Sequence, residues 1–291
     1  MKTAVVVMAY GSPSRPEDVR AYLQDIRAGR PVSPEAVAEL EERYRRIGGG
    51  SPLNEITERQ RAALEDELGI PVYVGMKHWT PRISEAAERA LADGADRIIG
   101  LVLAPHYARM SVGGYRRQLE EALARRADLT FIASYHAYEP FIELLAARLG
   151  DTEAHVVFTA HSLPERILAD GDPYRDQLLE TSRLVADKAQ LESWSFAFQS
   201  ESPTGEPWLG PDILDHLEAL RRQGVERVLV CPVGFVSDHL EIRWDLDVEA
   251  QEKAGELGLQ LERIEMPNAD PQFVGTLGLI VRRALSVPSP A

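Results

Sequence analysis

The sequence predicts an α/β fold of two similar doubly wound lobes, each built on a four-stranded parallel sheet, with a cleft between them. Three observations predict it. Short apolar, β-branched runs recur along the chain with little polar alternation, the pattern of parallel strands covered on both faces. Amphipathic stretches rich in Ala, Leu, Glu and Arg lie between them and read as crossover helices. The two halves also echo each other: VVVMAYGSP (Val5–Pro13) resembles VVFTAHSLP (Val156–Pro164), and DGADRIIGLVL (Asp93–Leu103) resembles QGVERVLVCPV (Gln223–Val233).

In chain order the strand runs are Thr3–Tyr10, Pro71–Met76, Arg97–Pro105, Leu129–Tyr135, His155–Ala160, Trp194–Gln199, Arg227–Phe235 and Leu259–Met266. Helical patterning covers Glu35–Arg46, Ile83–Asp93, Arg116–Arg126, Pro140–Leu149, Asp176–Leu191, Ile213–Gln223 and Pro271–Leu285. The expected division is a first Rossmann-like lobe over residues 1–139 and a second over 140–269, with Gly150 and Asp151 leading into the fifth strand. A last helix, 270–286, has no strand after it and is expected to pack back on the first lobe. The terminal SVPSPA (Ser286–Ala291) is expected to fray.

The chain of 291 residues is long enough for two cores. With 27% charged and 44% hydrophobic residues it has a globular composition. A formal charge of −14 argues against nucleic acid and anionic lipid as partners. The single cysteine, Cys231, excludes an internal disulfide, a four-cysteine zinc site and a cysteine-ligated iron-sulfur cluster, and it suits a reducing cytoplasm. The first apolar run is too short for a signal-peptide core, and no window reaches the length of a membrane span, so a cytoplasmic location without integral membrane association is expected.

In open parallel sheets ligands bind beyond the carboxyl ends of the strands. Those exits carry Tyr10, Lys77-His78-Trp79, His106, His136, His161 and, slightly further on, His239 and Glu241. An inter-lobe cleft lined with imidazole and carboxylate follows. His161 leaves a buried strand directly, where an imidazole can ligate a first-row metal or accept a proton, although a hydrogen-bonded strand-end histidine has the same signature. In SDHLEIRWDLDVE (Ser237–Glu249), Glu241, Asp245 and Glu249 recur every four residues. On an α-helix each such step overshoots a turn by roughly 40°, and a wider π-type turn aligns them better. They form either a ladder of oxygen ligands for a divalent cation or an acidic solvated face. GGGSPL (Gly48–Leu53) lacks the lysine of a phosphate loop and follows a helix, so nucleotide binding has no support. Residues 1–50 carry a net charge of +1 against −15 for the rest, with Arg27, Arg30, Arg43, Arg45 and Arg46 suited to an anionic ligand.

AYGSP, RYRRIGGGSPL, GMKHWTP, LAPHYARMSVGGY, FTAHSLPE, FQSESPTGEPWLGPD and PVGFVSDHLE, in that order, resemble the motifs of the ferrochelatases, which insert Fe²⁺ into a porphyrin during haem synthesis. The resemblance runs nearly end to end and is strongest to the Gram-positive type that uses coproporphyrin III. It implies a chelatase-like bilobal fold around a porphyrin cleft. It implies that His161 and Glu241 face each other across the macrocycle as the metal-handling and proton-accepting pair, and that Asp245 and Glu249 lie on a π-helix that conducts or binds metal. It implies that Tyr10 addresses the opposite porphyrin face and can ligate iron in the product. Arg27, Arg43, Tyr44, Ser51 and Tyr115 match residues that hold propionates, and Trp79 is expected to help clamp the ring. Gly50 and Gly114 depart from the family, which commonly has larger residues there.

Fe²⁺ is then a substrate, no organic cofactor or iron-sulfur cluster is expected, and transient contact with neighbouring haem-pathway enzymes is implied. The polar segment Ser12–Pro31 stands where membrane-fed relatives carry an apolar lip, which favours coproporphyrin III over protoporphyrin IX. The alternatives are a protoporphyrin IX ferrochelatase, a sirohydrochlorin chelatase of the same architecture, and a non-catalytic haem or porphyrin carrier using the same cleft.

Overall fold

A computed structural model of the chain describes residues 2–286 apart from residue 203. From residue 287 onward, the tail expected to fray lies outside the described residues. All eight strands form: β1 (Thr3–Ala9), β2 (Val72–Met76), β3 (Arg97–Val102), β4 (Asp128–Ile132), β5 (His155–His161), β6 (Trp194–Gln199), β7 (Arg227–Cys231) and β8 (Gln260–Arg263). They pair in parallel as two sheets of order β2-β1-β3-β4 and β6-β5-β7-β8. The topology repeats, so β1 and β5 hold equivalent places, and the echoed motifs put Tyr10 and His161 at corresponding strand exits.

The helices are α1 (Val19–Ile26), α2 (Pro34–Arg46), α3 (Leu53–Leu68), α4 (Ile83–Ala92), α5 (Val112–Leu123), α6 (Glu139–Leu149), α7 (Tyr174–Ala189), α8 (Ile213–Arg222), α9 (Gln251–Leu257) and α10 (Pro271–Leu285), with a π-helix over Ile242–Ala250. Local chemistry sets several ends. Ser33, Asp212 and Asp270 accept a backbone N–H at the starts of α2, α8 and α10, and Pro34 and Pro271 open two of those helices without an N–H to lose.

Each sheet is covered on both faces. Outer cores join the first sheet to α4 and α5, and the second to α8, α9 and the π-helix. The inner faces share one core: Val5, Val7, Ile99 and Leu101 of the first sheet belong to the same buried cluster as Val156, Phe158 and Phe198 of the second, with residues of α3, α6, α7 and α10 between. Helix α10 lies along the first lobe, where Arg282 donates to Glu67 of α3 at 2.7 Å and Arg97 of β3 donates to the Leu285 carbonyl at 3.2 Å.

Several boundary expectations need correction: β4 and β8 stop at Ile132 and Arg263, short of the expected Tyr135 and Met266, and at three other ends apolar or small residues serve the cleft. The runs read as strands to Pro105 and Phe235 stop at Val102 and Cys231, because Leu103, Ala104, Phe235 and neighbouring residues line the cleft wall. Helix α5 starts at Val112, ahead of the expected Arg116, and runs through Gly113 and Gly114 despite glycine's poor helix propensity. A Cβ at Gly114 would come within 3.0 Å of the Lys77 Nζ, so the missing side chain is the space that the ammonium group fills.

Candidate active site

The cleft between the lobes holds about 1420 Å³ of empty space, its solvent-open mouth included. Its walls combine apolar surface with hydroxyls, imidazoles and one carboxylate. The first lobe supplies Tyr10, Ser12, Tyr44, Ser51, Lys77 and Tyr115, and the second supplies His161, His239 and Glu241. Tyr44 Oη and Ser12 Oγ hydrogen-bond at 2.8 Å, fixing both hydroxyls.

The chemistry concentrates at Glu241, the residue immediately before the π-helix. One carboxylate oxygen lies 3.6 Å from His161 Nε2 and the other 3.4 Å from His239 Nε2. The geometry of the imidazoles follows from their other nitrogens. His161 Nδ1 donates to the Ser162 carbonyl, and His239 Nδ1 donates to the Ser237 carbonyl at 3.0 Å. Holding Nδ1–H on a carbonyl leaves Nε2 as the basic or metal-seeking atom, the usual way of orienting a working histidine. Loss of solvent acts to raise the Glu241 pKa, but interaction with the imidazoles of His161 and His239, followed by Arg43, outweighs it and holds the carboxyl at about 2.

One turn on, Asp245 behaves oppositely. It is 6% exposed, and burial, then the charges of Glu241 and Glu249, push it up to about 7 against hydrogen bonds from Ser200 Oγ and Gln199 Nε2. Two neighbouring carboxyls with pKa values driven apart, one ionised and one able to hold a proton near neutrality, are the arrangement acid–base sites use. Glu241 at the N-cap and Asp245 within the π-helix lie on one continuous helical segment, as the four-residue spacing suggested. Glu249 is half-buried further along it. Among the described residues no group of three or more His, Cys, Asp or Glu is arranged to hold a metal.

Tyr10 stands in the first lobe with its ring 4.6 Å from that of His78 and Lys77 Nζ 6.0 Å above it. Although 39% of its surface is open, loss of solvent and then Glu241 and Asp25 raise its hydroxyl pKa. His78 is held in turn by Asp25 at 2.9 Å. Gly11 makes the next step possible, since a Cβ there would sit 2.6 Å from Trp79 Cβ. Lys77, desolvated in the cleft wall and near Arg117, has its pKa lowered to about 8.

Several expectations change. His161 and Glu241 do not face each other across a macrocycle, because 3.6 Å leaves no room for a ring between them, so both address one face. Trp79 is absent from the cleft lining and packs edge-on to Tyr22 at 6.0 Å, supporting the wall from behind. Arg43 lies 5.3 Å over the Trp244 ring and pairs with Glu39, and Arg27 is exposed at the end of α1, so neither lines the cleft. Of the strand-exit histidines, His106, His161 and His239 line it, whereas His78 sits behind Tyr10 and His136 pairs with Glu180. His239 was the functional candidate left unassigned, and its signal was in the sequence: two residues before Glu241 in a non-helical approach, it can turn back onto the same carboxylate.

These features define a bilobal α/β protein with a cleft between its lobes and its ionisable groups gathered on one wall. The ferrochelatase family model matches residues 2–285. A ferrochelatase of Herpetosiphon aurantiacus is 44% identical over 96% of this chain and 98% of its own. A coproporphyrin III ferrochelatase of Oceanobacillus iheyensis is 39% identical over 97% and 96%. Among solved structures, SirB from Bacillus subtilis with Fe³⁺ shares the fold at a TM-score of 0.65 and 12% identity, over 98% of this chain and 96% of that one. The chain belongs to the ferrochelatase family, whose members are enzymes that insert metal into porphyrin. Among the described residues no helix is long and apolar enough to cross a membrane.

Proposed function

We propose that the protein inserts Fe²⁺ into coproporphyrin III to give coproheme. The observation that carries the reading is the division of labour in the cleft: Glu241 between two Nε2 atoms on one wall, and a set of hydroxyls with one ammonium, Ser12, Tyr44, Ser51, Tyr115 and Lys77, on the other. Metallation requires two pyrrole N–H protons to leave, the ring to deform so that its nitrogen lone pairs become accessible, and Fe²⁺ to shed water. His161 Nε2 takes one pyrrole proton, passes it to solvent at the open mouth of the cleft and then takes the second, while Glu241 exchanges water on the incoming Fe²⁺. Asp245 and Glu249 supply further oxygen ligands along the π-helix. Tyr10, at the corresponding exit of the other sheet, addresses the opposite face of the ring.

Four propionates call for polar and cationic contacts, and the cleft hydroxyls and Lys77 suit them better than they suit an apolar porphyrin. Coproporphyrin III ferrochelatases at 37–39% identity to this chain support the same choice. An anaerobic assay offering Fe²⁺ with coproporphyrin III or protoporphyrin IX in parallel tests it. Faster insertion into coproporphyrin III is expected. Preference for protoporphyrin IX overturns the substrate, and binding without Fe²⁺-dependent change in porphyrin absorbance overturns the reaction.

A further inference from the structure

The FQS segment at the exit of β6 (Phe198–Ser200) does no chemistry in the reading above, yet it holds a buried polar side chain at the centre of the site. Gln199 is 1% exposed, and its side chain and backbone reach both halves of the working pair. Its Nε2 donates to the Glu241 carbonyl at 3.3 Å and to Asp245 Oδ2 at 3.2 Å. Its own backbone carbonyl accepts from Ser162 N–H at 2.7 Å, and Ser162 is the residue whose carbonyl fixes His161 Nδ1. On the far side, Thr159, fully buried on β5, donates its hydroxyl to Gln199 Oε1 at 3.0 Å.

The orientation of the amide is therefore determined. The Glu241 carbonyl can only accept, so the NH₂ end must face the π-helix, and the Thr159 hydroxyl satisfies the oxygen. Every polar atom of the side chain is used in a dry environment, where losing a partner is costly.

We propose that Gln199 is a positioning residue for metal insertion: its side chain ties the Glu241 carbonyl to β6, whose main chain at the same residue holds Ser162 beside His161, and so sets the separation of His161 and Glu241. This rests on the assignment of that pair to the chemistry. Outer hydrogen-bond partners of working side chains typically contribute about 10- to 100-fold in activity or metal affinity.

Gln199→Met keeps the volume and removes both donors. In the folded full-length protein it is expected to lower kcat for Fe²⁺ insertion by about 10- to 100-fold and to raise the Fe²⁺ KM, with porphyrin affinity by fluorescence quenching within about twofold of wild type. Thr159→Val leaves the buried amide oxygen without its donor, loosens the hold on the side chain and should shift kcat in the same direction by a smaller factor, whereas Thr159→Ser, which keeps the hydroxyl, should behave as wild type. Wild-type kcat and Fe²⁺ KM in folded Gln199→Met overturn the proposal. If that variant does not fold, equal kcat for Thr159→Val and Thr159→Ser overturns it. Glu241→Gln and His161→Ala are measured beside them: if those retain turnover, the assignment of the pair fails, whereas if only the Gln199 and Thr159 variants are silent, the positioning role alone fails.

Discussion

Gly234 lines the cleft on the loop after β7, and its N–H donates to the Thr159 carbonyl at 3.1 Å. A Cβ built there would lie 2.5 Å from Ala160 Cβ and 2.8 Å from Ala160 Cα, and Ala160 immediately precedes His161. Carbon atoms pack comfortably at about 3.5–4.0 Å, so Gly234→Ala forces the end of β5 and this loop apart by about 1 Å. The loop leads to Glu241, so the displacement acts on the His161–Glu241 separation. A misplacement of that size costs on the order of 100-fold in rate, and overpacking a dense region costs roughly 1–3 kcal/mol of stability. Steady-state Fe²⁺ insertion followed by porphyrin absorbance reads the first, and urea unfolding reads the second. A Gly234→Ala protein with wild-type kcat and stability would refute the reasoning, because it would mean that the pair tolerates a shift in its supporting contact.

Further outcomes follow from other parts of the site. His161→Ala should abolish insertion while porphyrin still quenches protein fluorescence on binding, and continued insertion would remove His161 from the chemistry. Lys77 has its pKa lowered from 10.5 to about 8, so the folded protein has shed this proton between roughly pH 8 and 10.5 while the unfolded chain still holds it. Its contribution to stability therefore rises with pH across that window. Its attraction for an anionic porphyrin runs the other way, present below pH 8 and lost above it, so binding titrations from pH 7 to pH 9 should show an affinity loss that Lys77→Met abolishes. Phe273 of α10 is fully buried in the core that both sheets share, and Phe273→Ala should cost about 3–5 kcal/mol. Calorimetry should then show one cooperative transition moved downward, whereas separate melting of the two lobes would contradict a shared core.

Much of the architecture was legible along the chain. Buried parallel strands are continuous apolar runs because both faces are covered, and that pattern needs no knowledge of neighbours, which is why β1 to β8 could each be read from their own residues. The ladder Glu241, Asp245 and Glu249 was legible too, since a four-residue recurrence is a property of one helical segment. What tertiary structure decided was which groups meet. Only folding brings His161 of β5 and Glu241 after β7 to one wall, at a distance that excludes a ring between them. It turns Trp79 behind the cleft, Arg43 onto Trp244, and His239 onto the Glu241 carboxylate. It also moves Glu241 and Asp245 to opposite ends of the carboxyl range, because pKa values answer to burial and to charges through space, and neither is written in the order of residues.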